Sequence, residues 1–356
     1  MKVAETSTQF NLLVRKDKKR FIIILLSMIV ASLLFFALEL FVEAGNLTFQ
    51  EAFLALFGNG KPNAIRIMQR LLLPQACAAI LVGGGLALAG LMMQTSLNNP
   101  MASPGTLGVS NAAVLGANIA IIILSDNPVN GTVWANPNPY AVSAIAFIAA
   151  MASTFLVMGL AKLRSFAPVT IILIGVGLGM AYQAITTLIQ WFATENSLVS
   201  AVYWSFGDLS RVNFQECLLL LIVISLSFAG FLIFSSRYDA LSLGETSAKS
   251  LGVKVELYRF LALFSASLIT ASIVSICGII GFIGIIAPHV ARRLVGASHR
   301  KLIPISVFTG IIMISASDVI GRIIAKGSAL PVGAVTALIG APFFVIILLT
   351  KKGVKQ

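Results

Sequence analysis

Ten apolar stretches, most about twenty residues long, run through this chain and dictate what it can become. They are 21–43, 66–93, 105–125, 139–161, 168–192, 214–234, 257–277, 279–291, 303–325 and 332–350. Lipid offers no hydrogen-bond partner to the backbone, so only helices and closed barrels cross it. A barrel strand needs ~10 residues of alternating polarity, whereas a spanning helix needs ~20 that are predominantly apolar. The stretches here are continuous, which makes the chain an all-α polytopic membrane protein. Composition agrees: of 356 residues, 58% are hydrophobic and 11% charged, against about 25% charged in soluble domains. A soluble enzyme, a nucleic-acid binder and a disordered regulator are excluded. The eighth stretch is short, rich in glycine (Gly278, Gly281, Gly284) and closed by Pro288. It reads as a half-helix or part of a broken span.

Charge sets the orientation. The net charge is +12, from 25 Lys and Arg against 13 Asp and Glu. With ten spans and the N-terminus inside, the cytoplasmic segments are 1–20, 94–104, 162–167, 235–256, 292–302 and 351–356. Counting Arg259 at the seventh span's entrance, they hold 19 of the 25 cations. That asymmetry is the positive-inside bias, and it favours an even number of spans. The expected organisation is a cytoplasmic tail at 1–20, a single membrane domain at 21–350 and a second tail at 351–356. No cleavage site follows the first stretch, so it reads as a retained span and not a signal peptide. Segment 47–57 has the pattern of a short amphipathic helix lying on the outer surface.

Several chemistries are missing. Gly244 to Ser250 only faintly resembles a phosphate-binding loop: it lacks the second glycine, and Lys249 comes one position early. Cys77, Cys217 and Cys277 lie far apart inside apolar runs, which is neither disulfide nor metal-ligand spacing. Two histidines supply no HExxH pair and no Ser/His/Asp arrangement that sequence can argue. Asp318 and Arg322, four apart in the ninth span, share a helix face and can pair. Asp318 could alternatively be a proton or sodium site, although a neighbouring cation keeps a carboxylate ionised.

Three segments carry more information. Residues 74–108 place Gly83, Gly84, Gly85 and Gly90 on a face that invites close helix packing, before Asn98-Asn99-Pro100 ends the span. Segment 239–253 spaces Leu241, Leu243, Leu251 and Val253 with small residues, and Gly244 and Gly252 break it into two short helices. It reads as a compact knob suited to a partner's groove. The third, 278–300, contains Pro288-His289, Arg292 and His299-Arg300, and Pro331-Val332-Gly333 follows it.

Taken together, Gln94, Asn99-Pro100-Met101-Ala102, Leu107-Gly108, Leu241 to Glu245, Pro288-His289, Arg292, His299-Arg300 and Pro331-Val332-Gly333 resemble the permease family of ABC importers for iron-siderophores, haem and vitamin B12. The resemblance runs from about residue 20 to the C-terminus. It implies a type II importer permease fold in which spans 2–5 and 7–10 form inverted halves. It also implies a second copy of the chain or a paralogous permease, two ATPase subunits and an extracytoplasmic binding protein, in the bacterial cytoplasmic membrane with both termini inside. ATP and Mg would sit on the ATPase. No cofactor, metal or nucleic acid is expected on this chain, and lipid surrounds it. The ATPase-coupling segment would be 239–254, with Leu241, Ser242, Leu243, Gly244, Glu245, Ala248, Leu251 and Gly252. Asn99, Pro100, Pro288, His289, Arg292, Pro331 and Gly333 would be structural or gating residues. Arg66, Arg70 and Arg322 would dock the binding protein, Arg322 doubling as the partner of Asp318. The cargo would be a ferric siderophore, with cobalamin or haem as alternatives. An ion-coupled transporter using Asp318 and an intramembrane enzyme are the rival classes.

The sequence departs from the family pattern at three places. Gln75 stands where the second span usually carries Arg, Ala329 where an acid precedes Leu-Pro-Val-Gly, and Ser298 where Asp precedes His-Arg.

Overall fold

The computed structural model describes residues 2–42, 47–124, 138–325 and 330–349, with side chains placed between 15 and 346. The 351–356 tail, Lys326, Ala329 and nearly all of loop 126–138 lie outside the described residues. Every apolar stretch forms a helix. We number the helices α1 (Lys2–Phe41), α2 (Phe49–Leu56), α3 (Pro62–Ser96), α4 (Val109–Ile123), α5 (Pro139–Lys162), α6 (Pro168–Trp191) and α7 (Glu195–Ser205). They continue with α8 (Phe214–Ile233), α9 (Ser235–Ser242), α10 (Glu245–Ser250), α11 (Val255–Cys277), α12 (Ile283–Val295), α13 (His299–Ile324) and α14 (Val332–Leu349). Seven of them are long and apolar enough to cross a membrane unaided. The tail expected at 1–20 is instead helical and continuous with the first span. The eighth span begins at Ile283 and ends at Val295, four residues beyond expectation at each end.

Local chemistry explains the boundaries. Thr48 with Glu51, and Asn213 with Glu216, form reciprocal capping boxes that start α2 and α8. Pro139 and Pro168 sit in the first turns of α5 and α6, where the missing N–H is harmless. Pro74 falls inside α3 and cannot donate to the carbonyl four residues back. The preceding turn, Met68–Leu72, widens to π geometry, and the Leu73 N–H reaches the Met68 carbonyl. On α2, Ala52 and Ala55 are buried while Phe49, Phe53 and the C-cap Phe57 are exposed with their rings in contact, as expected of a helix lying at the membrane surface.

The core is built around α3, which is buried along most of its length. Its glycine face does what the sequence predicts. A methyl added at Gly83 would strike the Gly310 backbone of α13, and one at Gly90 would strike Gly284 of α12. Packing repeats between the halves: α3 lies against α12 and α13, as α11 lies against α4 and α5. Likewise α4 packs on α5 as α12 packs on α13. Spans alternate in direction, so helices five spans apart run oppositely, which makes the halves inverted.

The break before α12 is held by backbone pairing. Gly278 and Phe282 have positive φ (80° and 68°), and the intervening residues are not helical. The Ile279 N–H donates to the Ser205 carbonyl and the Asp208 N–H to the Cys277 carbonyl, while the Gly333 N–H donates to the Gly207 carbonyl. Three segments therefore cross with their polar groups satisfied, which is the condition for non-helical chain at membrane depth.

Candidate functional site

The expected knob is present as two short helices. α9 ends at Ser242, Gly244 takes φ 101°, α10 spans Glu245–Ser250, and Gly252 takes φ 75°. Nothing lies within 4 Å of a Cβ built on either glycine, so backbone conformation and not crowding calls for them. Leu241, Ala248 and Val253 are buried beneath the knob. Leu243 and Leu251 stand out at 68% and 59% exposure on a segment that is otherwise mostly polar at its surface.

Two polar links run from this knob into the end of α3. In the first, Arg259 of α11 is buried and donates from Nε to the Ser96 carbonyl (2.9 Å) and from Nη1 to the Phe166 carbonyl (2.8 Å). Its Nη2 reaches Glu245 Oε2 at 3.3 Å, and the other Glu245 oxygen holds Lys249 Nζ at 2.8 Å. These cations, Lys249 first, hold the Glu245 carboxyl below its usual range despite some desolvation.

The second link centres on His299. Its ring Nδ1 lies 2.6 Å from Asp239 Oδ1 on α9, its Nε2 lies 2.8 Å from Thr95 Oγ1 on α3, and its backbone N–H donates to the same Asp239 oxygen at 2.7 Å. Partial burial pushes the Asp239 carboxyl up, but the hydrogen bonds and charge of His299 outweigh it, and the net shift is downward. The carboxylate at the start of α13 thus comes from Asp239, while Ser298 occupies the position where the family pattern carries Asp. No spacing in the sequence announces this Asp–His–hydroxyl chain, which the fold alone assembles. Thr95 and His299 are both buried, and Phe231 and Tyr238 pack on the ring, so the arrangement is a tie between helices.

The motif residues gather nearby or at the break. Just beyond α3, the Asn99 N–H donates to the Gln94 carbonyl (3.0 Å) and its Oδ1 accepts the Met101 N–H (2.9 Å), with Pro100 exposed beside it. Pro288 is buried within α12 and His289 is half-buried after it. Arg292 leans towards Gln94 Oε1 at 3.4 Å, and Gln94 Nε2 donates to the Gly284 carbonyl at 3.1 Å. Pro331 and Gly333 belong instead to the three-segment crossing, where a methyl on Gly333 would strike the Ile279 carbonyl.

At the opposite end of α3, Asp318 and Arg322 pair as their spacing predicts, with 2.6 Å between Oδ2 and Nη2. Gln75 Nε2 donates to Asp318 Oδ1 at 3.0 Å, and Arg322 Nη1 donates to the Glu39 carbonyl at 2.7 Å. The Glu39 side chain itself is completely buried beside this group. Arg322 is only 6% exposed. The expectation that it docks a binding protein is therefore corrected: its guanidinium is an internal brace, and the charge is directed inward. Arg66 and Arg70 are exposed on the same end of the molecule. No cluster of three or more metal-ligating side chains occurs among the described residues.

Ten membrane helices in two inverted halves, with a split-helix knob braced at one face, define a type II importer permease. Comparison with known proteins places the chain in the FecCD transport family, matched over residues 28–350. The chain is 40% identical over 305 residues to an ABC transporter permease of Methanocaldococcus jannaschii, covering 85% of this chain and 87% of that one. It is 31% identical over 341 residues to the vitamin B12 import system permease of Vibrio vulnificus, covering 96% and 98%. A metal-chelate type ABC transporter solved in an inward-facing conformation superposes with a TM-score of 0.79 at 28% identity, over 93% of this chain and 99% of that one.

Proposed function

We propose that this chain carries a ferric siderophore or a similar iron complex into the cytoplasm, as the membrane subunit of an ATP-driven importer. Two copies, or one copy and a paralogous permease, would enclose the path. Two ATPase subunits would bind ATP and Mg and dock on residues 239–254, with Leu243 and Leu251 as the apolar contacts. A binding protein would deliver cargo at the other face, meeting Arg66 and Arg70. Residues 21–350 act as one domain, and both termini face the cytoplasm. The chain itself performs no catalysis.

The observation that carries this reading is the knob: two exposed leucines on a segment tied rigidly to α3. ATP-dependent movement of the docked ATPase would bias the helices between outward- and inward-open states through its differential affinity for them. Pro288, His289, Arg292, Asn99, Pro100, Pro331 and Gly333 act as structural or gating residues. Cobalamin is the second reading, favoured by the relative of Vibrio vulnificus. The purified permease with its ATPase should hydrolyse ATP faster when the cognate binding protein arrives loaded with a ferric siderophore. Stimulation by cobalamin alone would replace iron by vitamin B12, and stimulation by neither would sink both. Sidedness is tested separately with an impermeant thiol reagent on intact cells. A cysteine at Ser200 should react, and one at Ser247 should react only after permeabilisation.

A further inference from the structure

A crevice of about 260 Å³ opens where α1 meets the end of α12, lined by Asp17, Arg20, Phe21, Ile24, Arg292 to Gly296 and Lys301. We propose that it binds the phosphate diester of an anionic phospholipid from the adjoining leaflet.

Charge is the first argument. Lys301 pairs with Asp17, which leaves Arg20, Arg292 and Arg293 with no ion pair among the described residues. Arg292 makes only long contacts to Gln94, at 3.4 and 3.5 Å. Three guanidiniums around one cavity repel one another, and a bound anion relieves this. Their paired N–H donors match phosphate oxygens two at a time.

Depth is the second argument. Arg20 is the last charged residue before the apolar stretch of α1, so the crevice straddles the boundary between water and hydrocarbon. Phe21, Ile24, Leu294 and Val295 form its apolar side. Next along α1, Ile22, Ile23, Leu26 and Val30 are exposed by 43%, 67%, 55% and 64%, a surface for acyl chains. A soluble anion would need the cations but not this apolar flank. A protein partner is also less suited, because no residue of 235–254 lines this crevice. A larger cavity of about 990 Å³ adjoins the crevice at Phe21 and Lys301, and it is this one that reaches Ser235, Ser236 and Asp239 of α9. Basic sites at the cytoplasmic ends of membrane helices attract anionic headgroups in general.

The test uses the delipidated full chain in a neutral detergent, with lipid binding followed by native mass spectrometry and thermal shift. Phosphatidylglycerol should bind roughly tenfold or more tightly than phosphatidylcholine, because each cation near the surface favours the anionic headgroup. Arg20→Gln with Arg293→Gln should remove that preference, Arg20→Lys with Arg293→Lys should retain most of it, and Arg164→Gln, outside the crevice, should leave it intact. Equal binding of the two lipids, or an unaltered preference in the double glutamine variant, would overturn the proposal. So would stabilisation by inorganic phosphate alone with none from phosphatidylglycerol, which would mark a soluble-anion site. If the double variant does not fold, a photoactivatable phosphatidylglycerol on the unmodified chain decides. Crosslinks at 17–24 and 292–296 support the site, and crosslinks elsewhere refute it.

Discussion

The two ends of α3 hold the same ingredients to opposite effect. Gln75 and Ser96 are 21 residues apart, roughly 30 Å along a helix, or about the thickness of the hydrocarbon. Each end has a buried arginine from another span, bonded to a backbone carbonyl and a carboxylate. At the knob end, Arg259 leads outward to Glu245, whose side chain is 40% exposed. At the other end, Arg322 closes inward on Asp318, which Gln75 also holds, and on the Glu39 carbonyl, and all of these side chains are buried. A buried charge can thus be a linkage or a plug, and the exposure of its last partner tells which.

The plug should be the costlier to break. Arg322→Leu leaves Asp318 a buried carboxylate without its cation, with an expected loss of about 3–5 kcal/mol. Thermal unfolding in detergent would show it, and adding Asp318→Asn should recover part. A loss below that of Arg259→Gln would invert the comparison. Arg259→Gln strips donors from the Ser96 and Phe166 carbonyls and should cost about 1–3 kcal/mol. Unlike Arg322→Leu, it should also lower transport per ATP hydrolysed in the reconstituted importer. If coupling is unchanged, the linkage conveys nothing.

His299→Gln, which cuts the parallel tie, should cost about 1–2 kcal/mol. The Asp239 carboxyl is lowered in the folded chain. Its stabilisation is therefore present above the ordinary carboxylate pKa and fades as pH falls through the lowered value. The difference between wild type and Asp239→Asn should shrink in acid, as pH falls below the ordinary carboxylate range and through the lowered value. Leu243→Asp should change stability by no more than about 0.5 kcal/mol, because the side chain is already in solvent. It should nevertheless abolish ATPase co-purification. The smallest effect is expected for Arg70→Glu: weaker association with the binding protein, more so at low salt, where the new repulsion is less screened.

The spans were legible because an apolar run of membrane length has one stable solution, and the knob because glycines at 244 and 252 punctuate a leucine pattern. Of the buried groups, the Asp318–Arg322 pair was legible from its four-residue spacing, but its partners and the other buried groups were not. Glu39 reads as one acid in an apolar stretch, and its neighbours lie some 280 residues away, so no local spacing announces them. Arg259 at a span's entrance reads as one more positive-inside cation. Thr95 and His299 are 204 residues apart and meet only because α3 packs on α13. The glycine face that brings those helices together was visible, but the polar side chains it would align were not. A further local clue was Gln75, a polar residue standing where the family pattern has Arg, and it proved to be a partner of Asp318.

The glycine contacts of α3 also govern how this protein can change. At Gly83 and Gly310, and at Gly90 and Gly284, each Cβ would meet the opposing backbone, so altering both members of a pair worsens the clash. Compensation by a second mutation, the usual route by which packed positions drift, is closed at these four sites. Gly159 and Gly230 have helical φ and open space around a built Cβ. There alanine should gain about 0.5–1 kcal/mol of helix preference. A thermostabilised variant is to be sought at those two positions, with the α3 contacts left untouched.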